Sequence, residues 1–374
     1  MTSTTARWRL LVLALALALM AAACGGDDGD DDASASASGS GTAEEDGATG
    51  TTAADSADAA DGGEDAAPAG DAFPATITDA GGNEFSFDEA PVIGCAWYGC
   101  TESLAEMGIP VHAAILTADE VDSVFYSPMG APEHVIEDFT NPEEWAATEV
   151  DVLVTRLPAN PNLDALAEQV APVFFLHYPA FSGFDEGTSD LTGVEAYYEN
   201  YRLLGELTGR PDAGEAAIER YETFLANLAA AAPEGRAEST LSVMFDGDGY
   251  LILGPDNPFC DSLVTAGFGT CVGEAAGAQI NAEQFLEYDP DYIFYGGFGT
   301  TYENRPADPV FDQLAAVQDG QIVNSDGNRH YCCSTRGLIA SITEFVAKTA
   351  PETGIEAPPA DHNAYDPSTN PLAG

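Results

Sequence analysis

The sequence predicts an α/β protein of two lobes, each built on a parallel sheet and joined by a long helical segment. Three observations lead to this fold class. Two stretches of the chain repeat one residue pattern, short apolar segments alternate with amphipathic ones, and the longest helix-forming region lies between the two copies of the repeat. Apolar strands alternating with helices are typical of parallel sheets that are covered on both faces.

The internal repeat is clearest in two segments of the chain. Residues 141–154 read N-P-E-E-W-A-A-T-E-V-D-V-L-V, and residues 281–294 read N-A-E-Q-F-L-E-Y-D-P-D-Y-I-F. Polar positions that recur in register are Asn141, Glu143 and Asp151 in the first copy and Asn281, Glu283 and Asp291 in the second. A shorter S-L-x-x-x-G pattern also recurs, in Glu102-Ser103-Leu104 with Gly108 and in Asp261-Ser262-Leu263 with Gly267. Two repeats in the same order indicate two related lobes.

The strands and helices follow from local patterns. Apolar runs predict buried strands at 150–155, 173–177 and 292–296, and weaker ones at 92–96, 241–245 and 321–324. Apolar residues at helical spacing predict helices over 193–208 and 212–232, because Gly209-Arg210-Pro211 interrupts the pattern between them. A long helix between two lobes would act as a rigid strut.

The N-terminus has the pattern of an export signal. Arg7 and Arg9 precede an apolar stretch over residues 10–20, and small residues then lead to Cys24. This predicts a lipoprotein signal peptide over residues 1–23 with Cys24 lipidated, although an ordinary secretory signal followed by an incidental cysteine fits the same residues. Residues 24–72 lack aromatic side chains and predict a disordered acidic tether. The expected parts of the body are an N-terminal lobe at 73–192, a connecting region at 193–232, a C-terminal lobe at 233–350 and a tail at 351–374.

The charge of the chain limits its partners. Asp and Glu number 63 against 11 Lys and Arg, which gives a formal net charge of −52. Such a surface excludes nucleic acid and anionic membranes as partners, so contact with a membrane is expected only through the lipid anchor. We expect a monomer with no cofactor.

The cysteines predict disulfide bonds. Besides Cys24 there are six, an even number that is typical of an exported protein with disulfides, whereas the same spacing in a cytosolic protein would suggest a zinc site. Cys260 and Cys271 are close enough along the chain to pair with each other. The pairing of the rest is open: Cys95, Cys100, Cys332 and Cys333.

Several segments resemble one family. They are P-A-T-I-T-D-A-G-G-N-E-F at 74–85, the two segments of the repeat, Y-R-L-L-G-E-L-T-G at 201–209 and L-A-A-V-Q-D-G-Q-I at 314–322. Over residues 73–350 the chain resembles the substrate-binding proteins of ABC importers for ferric siderophores, haem and cobalamin. The resemblance implies two α/β lobes bridged by a single long helix, with the ligand cleft between them. It also implies that one Glu on each lobe docks on the permease, here Glu143 and Glu283.

The candidate ligand residues follow the predicted strands, because ligands bind at the carboxyl ends of parallel strands. They are Trp97, Tyr98, Arg156, Tyr178, Tyr250, Tyr302, Arg305, Arg329, Tyr331 and Arg336. Four of the few basic residues in this acidic chain are among them, which indicates an anionic ligand held by guanidinium groups. Aromatic neighbours would stack on it. The alternative is that these arginines only neutralise nearby acids.

The expected function is therefore the capture of an iron chelate, most simply a ferric siderophore, outside the cytoplasm and its delivery to an ABC permease. Cobalamin, haem or a metal ion are alternative ligands within the same family. An exported enzyme is a further alternative, but the chain lacks the common catalytic motifs. No metal site is expected, because the five histidines are far apart in the sequence: His112, His134, His177, His330 and His362.

Overall fold

The structure is a computed structural model, and its described residues lie within one compact unit. They are residues 72–157, 163–179, 191, 193–245, 250–273, 278–280, 282–296, 302–303, 305, 307–324 and 333–374. The predicted signal peptide, Cys24 and nearly all of the tether lie outside them. No helix in these ranges combines the length and the apolar character needed to cross a membrane.

The first ordered feature is an antiparallel hairpin of strands β1 (Ala75–Thr78) and β2 (Glu84–Phe87). Buried Asp79 holds its turn, because one carboxylate oxygen accepts the Asn83 N–H at 2.8 Å. The other oxygen accepts the Phe175 N–H at 3.0 Å. Asp79 thereby attaches the hairpin to the edge of the first sheet.

The first sheet is wholly parallel, as predicted. Its strands are β3 (Ile93–Cys95), β4 (Ala113–Ile115), β5 (His134–Ile136), β6 (Val152–Arg156) and β7 (Val173–Leu176). Helices α1 (Tyr98–Glu106), α2 (Pro142–Ala146) and α3 (Leu163–Gln169) accompany them. The strand order is β5-β4-β3-β6-β7, so the direction in which strands are added reverses between β3 and β6. In open α/β sheets this switch point opens a crevice at the carboxyl ends of the strands.

Two helices connect the sheets. Helix α4 (Glu195–Thr208) ends at Gly209, whose φ of 68° is the left-handed conformation that glycine adopts readily. Pro211 then begins α5 (Pro211–Ala231), which at 21 residues is about 31 Å long. The two helices touch at Gly214, where an added Cβ would come within 2.4 Å of the Tyr201 carbonyl oxygen. The predicted break and the predicted long helix are both confirmed.

The second sheet is mixed. Its strands are β8 (Ser239–Phe245), β9 (Tyr250–Leu253), β10 (Thr270–Cys271), β11 (Ala278–Ile280), β12 (Tyr292–Gly296) and β13 (Ile322–Asn324). Strands β8, β12 and β13 are parallel, but β9 runs antiparallel to both β8 and β11, a hairpin that the sequence did not predict. The α/β class is confirmed, with helices α6 (Pro258–Thr265), α7 (Ala282–Tyr288), α8 (Ala315–Gln318) and α9 (Thr335–Thr349).

The internal repeat is structural as well as sequential. Asp151, just before β6, accepts the Val92 N–H at 2.8 Å, and Asp291, just before β12, accepts the Ser239 N–H at 2.7 Å. Each aspartate thus receives the amide at the start of the neighbouring central strand. Two residues earlier, Glu149 and Asp289 have positive φ values of 54° and 37°. The chain therefore makes the same turn from helix to strand in both lobes.

The C-terminal segment 351–374 packs against the rest of the protein. Val124 donates to the Asn363 carbonyl at 2.8 Å, and the Asn363 side chain donates to the Asp119 carbonyl at 3.0 Å. Asn227 of α5 donates to the Leu372 carbonyl at 2.9 Å. This tail is hydrogen-bonded both to the first lobe and to the connecting helix.

Candidate ligand site at the carboxyl ends of the strands

Three of the predicted ligand residues meet at the carboxyl ends of the first sheet. Trp97 follows β3, Arg156 ends β6 and Tyr178 lies two residues beyond β7. The Arg156 guanidinium lies 4.0 Å from the centre of the Tyr178 ring, and the Trp97 ring packs edge-on against Tyr178 at 6.0 Å. Since β3 and β6 flank the switch point, this cluster occupies the part of the sheet where ligands bind in α/β folds.

Local structure fixes Trp97. The disulfide between Cys95 and Cys100 spans the turn that carries Trp97, with Cα atoms 5.4 Å apart. Gly99 lies under the indole ring, since an added Cβ would meet ring atoms of Trp97 at 2.3 Å. Trp97 also occupies the N-cap of α1, in an extended conformation with no side-chain cap. The ring therefore has little freedom to turn away from Tyr178.

Asn200 of α4 fixes the segment that carries Tyr178. Its side-chain oxygen accepts the His177 N–H at 2.7 Å, and its amide donates to the His177 carbonyl at 2.9 Å. The buried Asn200 side chain thus gives the backbone of His177 the donor and the acceptor that a neighbouring strand would otherwise provide. Burial lowers the pKa of His177 below its usual 6.5, against the opposing charges of Glu199 and Asp79, so the ring is neutral at pH 7. Asn200 is a positioning residue that the sequence patterns do not reveal.

Arg156 differs from the other described basic residues in its ion-pair partners. The other described basic side chains each lie within ion-pair distance of a carboxylate, namely Arg202, Arg210, Arg220, Arg236, Arg305, Arg336 and Lys348. Within the described ranges, Arg156 has no carboxylate partner, although the chain contains 63 acidic residues. It is partly exposed and rests on an aromatic face. An arginine in this position has donors available for an anion.

Tyr98 lies beside this cluster at the first position of α1. Its ring packs on Tyr126 at 6.0 Å. Burial, together with the charges of Glu120, Glu102 and Asp119, raises the pKa of Tyr98 to about 12. The phenol therefore keeps its proton at neutral pH and can donate a hydrogen bond.

The predicted residues of the second lobe form a second aromatic cluster. The Arg305 guanidinium lies 4.4 Å from the Tyr302 ring centre and 5.0 Å from that of Phe311, and it pairs with Asp312. Tyr250 stacks on Phe311 at 5.0 Å, but it lies in β9 and is buried, not in a loop as the sequence predicts. Arg305 is thus partly neutralised, and Tyr302 is partly exposed.

Arg336 lies in the protein interior, so its predicted place in a loop at the cleft is wrong. It occupies the first turn of α9 and is fully buried. Its guanidinium donates to the carbonyls of Phe125 and Val124 and to the carboxylates of Glu106 and Asp366. Ser334 caps the helix by accepting the Gly337 N–H, and a serine before an apolar helical pattern is the signal that identifies this helix.

The other predicted positions have mixed outcomes. The predicted disulfide Cys260–Cys271 is confirmed; among the cysteines whose pairing the sequence left open, Cys95 pairs with Cys100, and Cys333 is also disulfide-bonded. Arg329, Tyr331 and Cys332 lie outside the described residues. Glu143 and Glu283 are exposed in the first turns of α2 and α7, the helices that precede the two equivalent Asp turns. The two glutamates therefore occupy matching places at the carboxyl ends of the two sheets.

A cavity of about 430 Å³ lies elsewhere, between α9 and the tail. Its lining includes Thr343, Ile355, Tyr365 and Leu372. None of the strand ends borders it, so we regard the strand-end cluster, and not this cavity, as the candidate site.

The sequence and the fold were compared with those of known proteins. Residues 152–328 match the sequence model of the periplasmic binding protein family. A search of curated proteins by sequence gave no significant match. Solved structures are similar over most of the chain at low identity, so they support the fold.

Three similar structures illustrate the match. The triscatecholate siderophore-binding protein FeuA from Bacillus subtilis, complexed with ferri-bacillibactin, has 15% identity and a TM-score of 0.57 over 73% of this chain and 98% of its own. The petrobactin-binding protein YclQ from Bacillus subtilis has 14% identity and a TM-score of 0.54 over 75% and 99%. The periplasmic catecholate-siderophore-binding protein VctP from Vibrio cholerae has 18% identity and a TM-score of 0.51 over 71% and 96%.

These proteins share the mostly parallel sheets and connecting helices described above. Residues 152–328 thus resemble the periplasmic binding protein family in sequence, and the described chain shares the fold of these siderophore-binding structures.

Proposed function

We propose that this protein is an extracytoplasmic receptor that captures an anionic ferric siderophore and delivers it to an ABC permease. The observation that carries the proposal is the pairing state of Arg156. Within the described residues it has no carboxylate partner, and it lies against Tyr178 at the carboxyl ends of the first sheet. Iron is the cargo here, held by the siderophore and not by the protein.

The geometry of the cluster supports this ligand class. A guanidinium offers a planar pair of donors to catecholate, carboxylate or hydroxamate oxygens. The Tyr178 ring supports the guanidinium from behind, and burial raises the pKa of Tyr178 even though Arg156 opposes the shift. Tyr178 therefore stays uncharged beside an incoming anion. Tyr98, which is partly exposed, adds aromatic surface for the flat rings of such a chelate, while buried Trp97 packs against Tyr178 from the protein side.

Two further parts of the proposal concern anchoring and delivery. Cys24, outside the described residues, would carry the lipid, and the tether would let the body reach the permease. Glu143 and Glu283 would dock on the permease, because both are exposed at equivalent turns of the two lobes. Two such charges suit a partner with matching twofold-related sites.

A binding titration tests the proposal. Ferric siderophores of the catecholate and hydroxamate classes would be titrated into the protein while tryptophan fluorescence is followed. Arg156→Gln should weaken the binding of the preferred ligand about ten- to a hundredfold, since a hydrogen bond to a charged group contributes about 1.5–3 kcal/mol. Arg210→Gln is the matched control, because Arg210 pairs with Asp212 at the surface.

The alternatives give different outcomes. Saturable binding of haem or cobalamin, with no siderophore bound, would replace the ligand class and keep the receptor. Sustained turnover of a siderophore ester would indicate an enzyme. If Arg156→Gln and Arg210→Gln bind the preferred ligand equally well, Arg156 is not a ligand contact and a neutral chelate becomes the better candidate.

A further inference from the structure

Three potential metal ligands lie together at a place that the proposed function does not use. They are His112, Glu133 and His134, and their ligand atoms all lie within 4.8 Å of one another. The sequence predicts no metal site because its histidines are far apart. Strand pairing changes this, since Ala113 of β4 faces His134 of β5 and the His134 N–H donates to the His112 carbonyl at 3.0 Å.

The cluster lies at the end of the sheet opposite the ligand residues. His112 directly precedes β4, and His134 is the first residue of β5, so both are at the amino ends of parallel strands. Trp97 and Arg156 are at the carboxyl ends of β3 and β6 in the same sheet. A metal bound here would therefore be separate from a chelate bound at the candidate ligand site.

One hydrogen bond fixes which ring nitrogen of His112 carries the hydrogen. Its Nε2 lies 2.9 Å from the Thr148 carbonyl oxygen, which can only accept, so Nε2 carries the hydrogen. In a neutral imidazole the other nitrogen, Nδ1, is then a bare lone pair. That Nδ1 faces the Glu133 carboxylate at 3.2 Å. The Nδ1 lone pair and the carboxylate oxygen repel each other at this distance unless the imidazole carries a second proton or a cation lies between them.

His134 completes the arrangement. Its Nε2 lies 3.9 Å from the second carboxylate oxygen of Glu133, and the two imidazole rings are 5.0 Å apart, edge to face. Two ring nitrogens and a carboxylate thus converge. The bond from His112 to Thr148 is of the kind that orients histidine ligands around metals.

We propose that His112, Glu133 and His134 bind a divalent transition metal ion at the amino-end edge of the first sheet. Imidazole and carboxylate ligands suit zinc, copper and nickel better than calcium or magnesium, which prefer oxygen alone. Zinc with three protein ligands keeps a further position for water. Glu133 is 70% exposed, so solvent reaches the site and the ion exchanges readily.

The test must separate this site from weak binding of cations to an acidic surface. Co²⁺ and Zn²⁺ would be titrated into the full-length protein, without a histidine tag and in a large excess of Mg²⁺. Visible absorption of Co²⁺ reports nitrogen ligands, and competition by Zn²⁺ gives its affinity. The matched pair of variants is Glu133→Gln and Glu137→Gln, which each remove one exposed acid from the same stretch of chain.

The wild type should bind one Co²⁺ with a visible spectrum, and Glu133→Gln should weaken it at least tenfold while Glu137→Gln leaves it within twofold. His134→Gln, a second variant at a partly exposed position, should also lose the spectrum. Both should bind a ferric siderophore as the wild type does, so failure here is distinguishable from failure of the proposed function. Equal Co²⁺ binding by Glu133→Gln and Glu137→Gln, or no binding in excess Mg²⁺, would overturn the proposal and leave an imidazolium–carboxylate pair as the explanation.

Discussion

At the residue scale, Arg156 and Arg336 differ in what surrounds the guanidinium group. Arg336 is fully buried and directs its donors to two carbonyls and two carboxylates. Glu106, itself buried, lies between Arg336 and Arg220. A guanidinium this enclosed supports structure, whereas Arg156 has no carboxylate partner among the residues that the structure describes.

Replacing Arg336 should therefore affect stability and not ligand affinity. Arg336→Met removes one side of a buried ion pair, so Asp366 loses its charged partner and two carbonyls lose the guanidinium donor. Breaking such a pair costs about 3–5 kcal/mol, measured as the loss in unfolding free energy in urea. Lys348→Met, at an exposed pair with Glu344, should change stability by less than about 1 kcal/mol. If Arg336→Met is as stable as the wild type but binds ligand weakly, the structural role of Arg336 is wrong.

Asp366 predicts how this network responds to acid. Burial alone would raise the pKa of Asp366, but the charge of Arg336 and hydrogen bonds from Ser368 and Arg336 outweigh it and lower the pKa below 3.8. A carboxyl with a lowered folded pKa adds stability above its unfolded pKa and loses it as the pH falls through the folded one. The gap in unfolding free energy between wild type and Asp366→Asn should be constant above about pH 5 and should shrink below pH 3.8. A gap that stays constant down to pH 2 would contradict this.

What the sequence reveals at this scale depends on the neighbours of each residue along the chain. Trp97, Arg156 and Tyr178 were predictable because each lies at the end of an apolar strand or within two residues of it. Arg336 was misplaced because the strand before it and the helix that contains it are joined by a stretch that reads as one long loop. The partners that bury Arg336, such as Glu106 and Asp366, are distant in sequence, so no local pattern indicates them.

At the element scale, the two lobes share a turn that ends a helix and starts a strand. It combines a non-glycine residue with positive φ, at Glu149 or Asp289, with an aspartate two positions later that accepts a neighbouring strand amide. Residues other than glycine adopt positive φ at a cost in free energy, so contacts with surrounding residues must stabilise the turn. The recurring aspartate is one such contact.

We expect both aspartates to stabilise their turns, Asp291 somewhat more because its carboxylate also accepts the Ser239 hydroxyl at 2.9 Å. Asp151→Ala and Asp291→Ala should each lower the unfolding free energy by about 0.5–1.5 kcal/mol, because each removes the acceptor of a strand amide. Urea denaturation measures both. Asp122→Ala, at an exposed position outside the repeat, should stay within about 0.5 kcal/mol. If either variant is as stable as Asp122→Ala, the aspartate in that lobe does not hold the turn.

How accurately the sequence predicts a strand depends on the length of that strand. Strands β6, β7 and β12 have four or five residues with several apolar side chains and were predicted within two residues of their bounds. Strands β4 and β5 have three residues each, A-A-I and H-V-I, which is too short for a periodic signal. Missing them also hid the metal cluster, because only the pairing of β4 with β5 brings His112 close to His134.

At the scale of the whole molecule, contacts between distant parts of the chain brace the two lobes. Glu102 and Glu106 of α1 bond Ser334 and Arg336 at the start of α9, and Tyr201 of α4 bonds Thr335. One hydrophobic core extends through these helices from both sheets. These contacts hold the two lobes together. A wide separation of the lobes would therefore break buried hydrogen bonds.

Delivery to a permease should depend on both lobes together. Replacing Glu143 and Glu283 with Ala should abolish siderophore uptake in cells while ligand affinity in vitro is unchanged, because both side chains are exposed and neither is part of the two aromatic clusters. A control that replaces Glu219 and Glu287, also exposed, removes the same charge elsewhere. Normal uptake by the Glu143/Glu283 variant, or equal loss in the control, would contradict specific docking.

The packed tail has a consequence for the order in which the protein folds. The carbonyl of Asp119 and the amide of Val124, both in the first lobe, find partners in Asn363, and the first of these contacts spans 244 residues of sequence. Because the chain is synthesised from its N-terminus, these two groups are exposed long before Asn363 has been made. These hydrogen bonds of the first lobe form only after the C-terminal segment has been synthesised, so the first lobe completes its structure late.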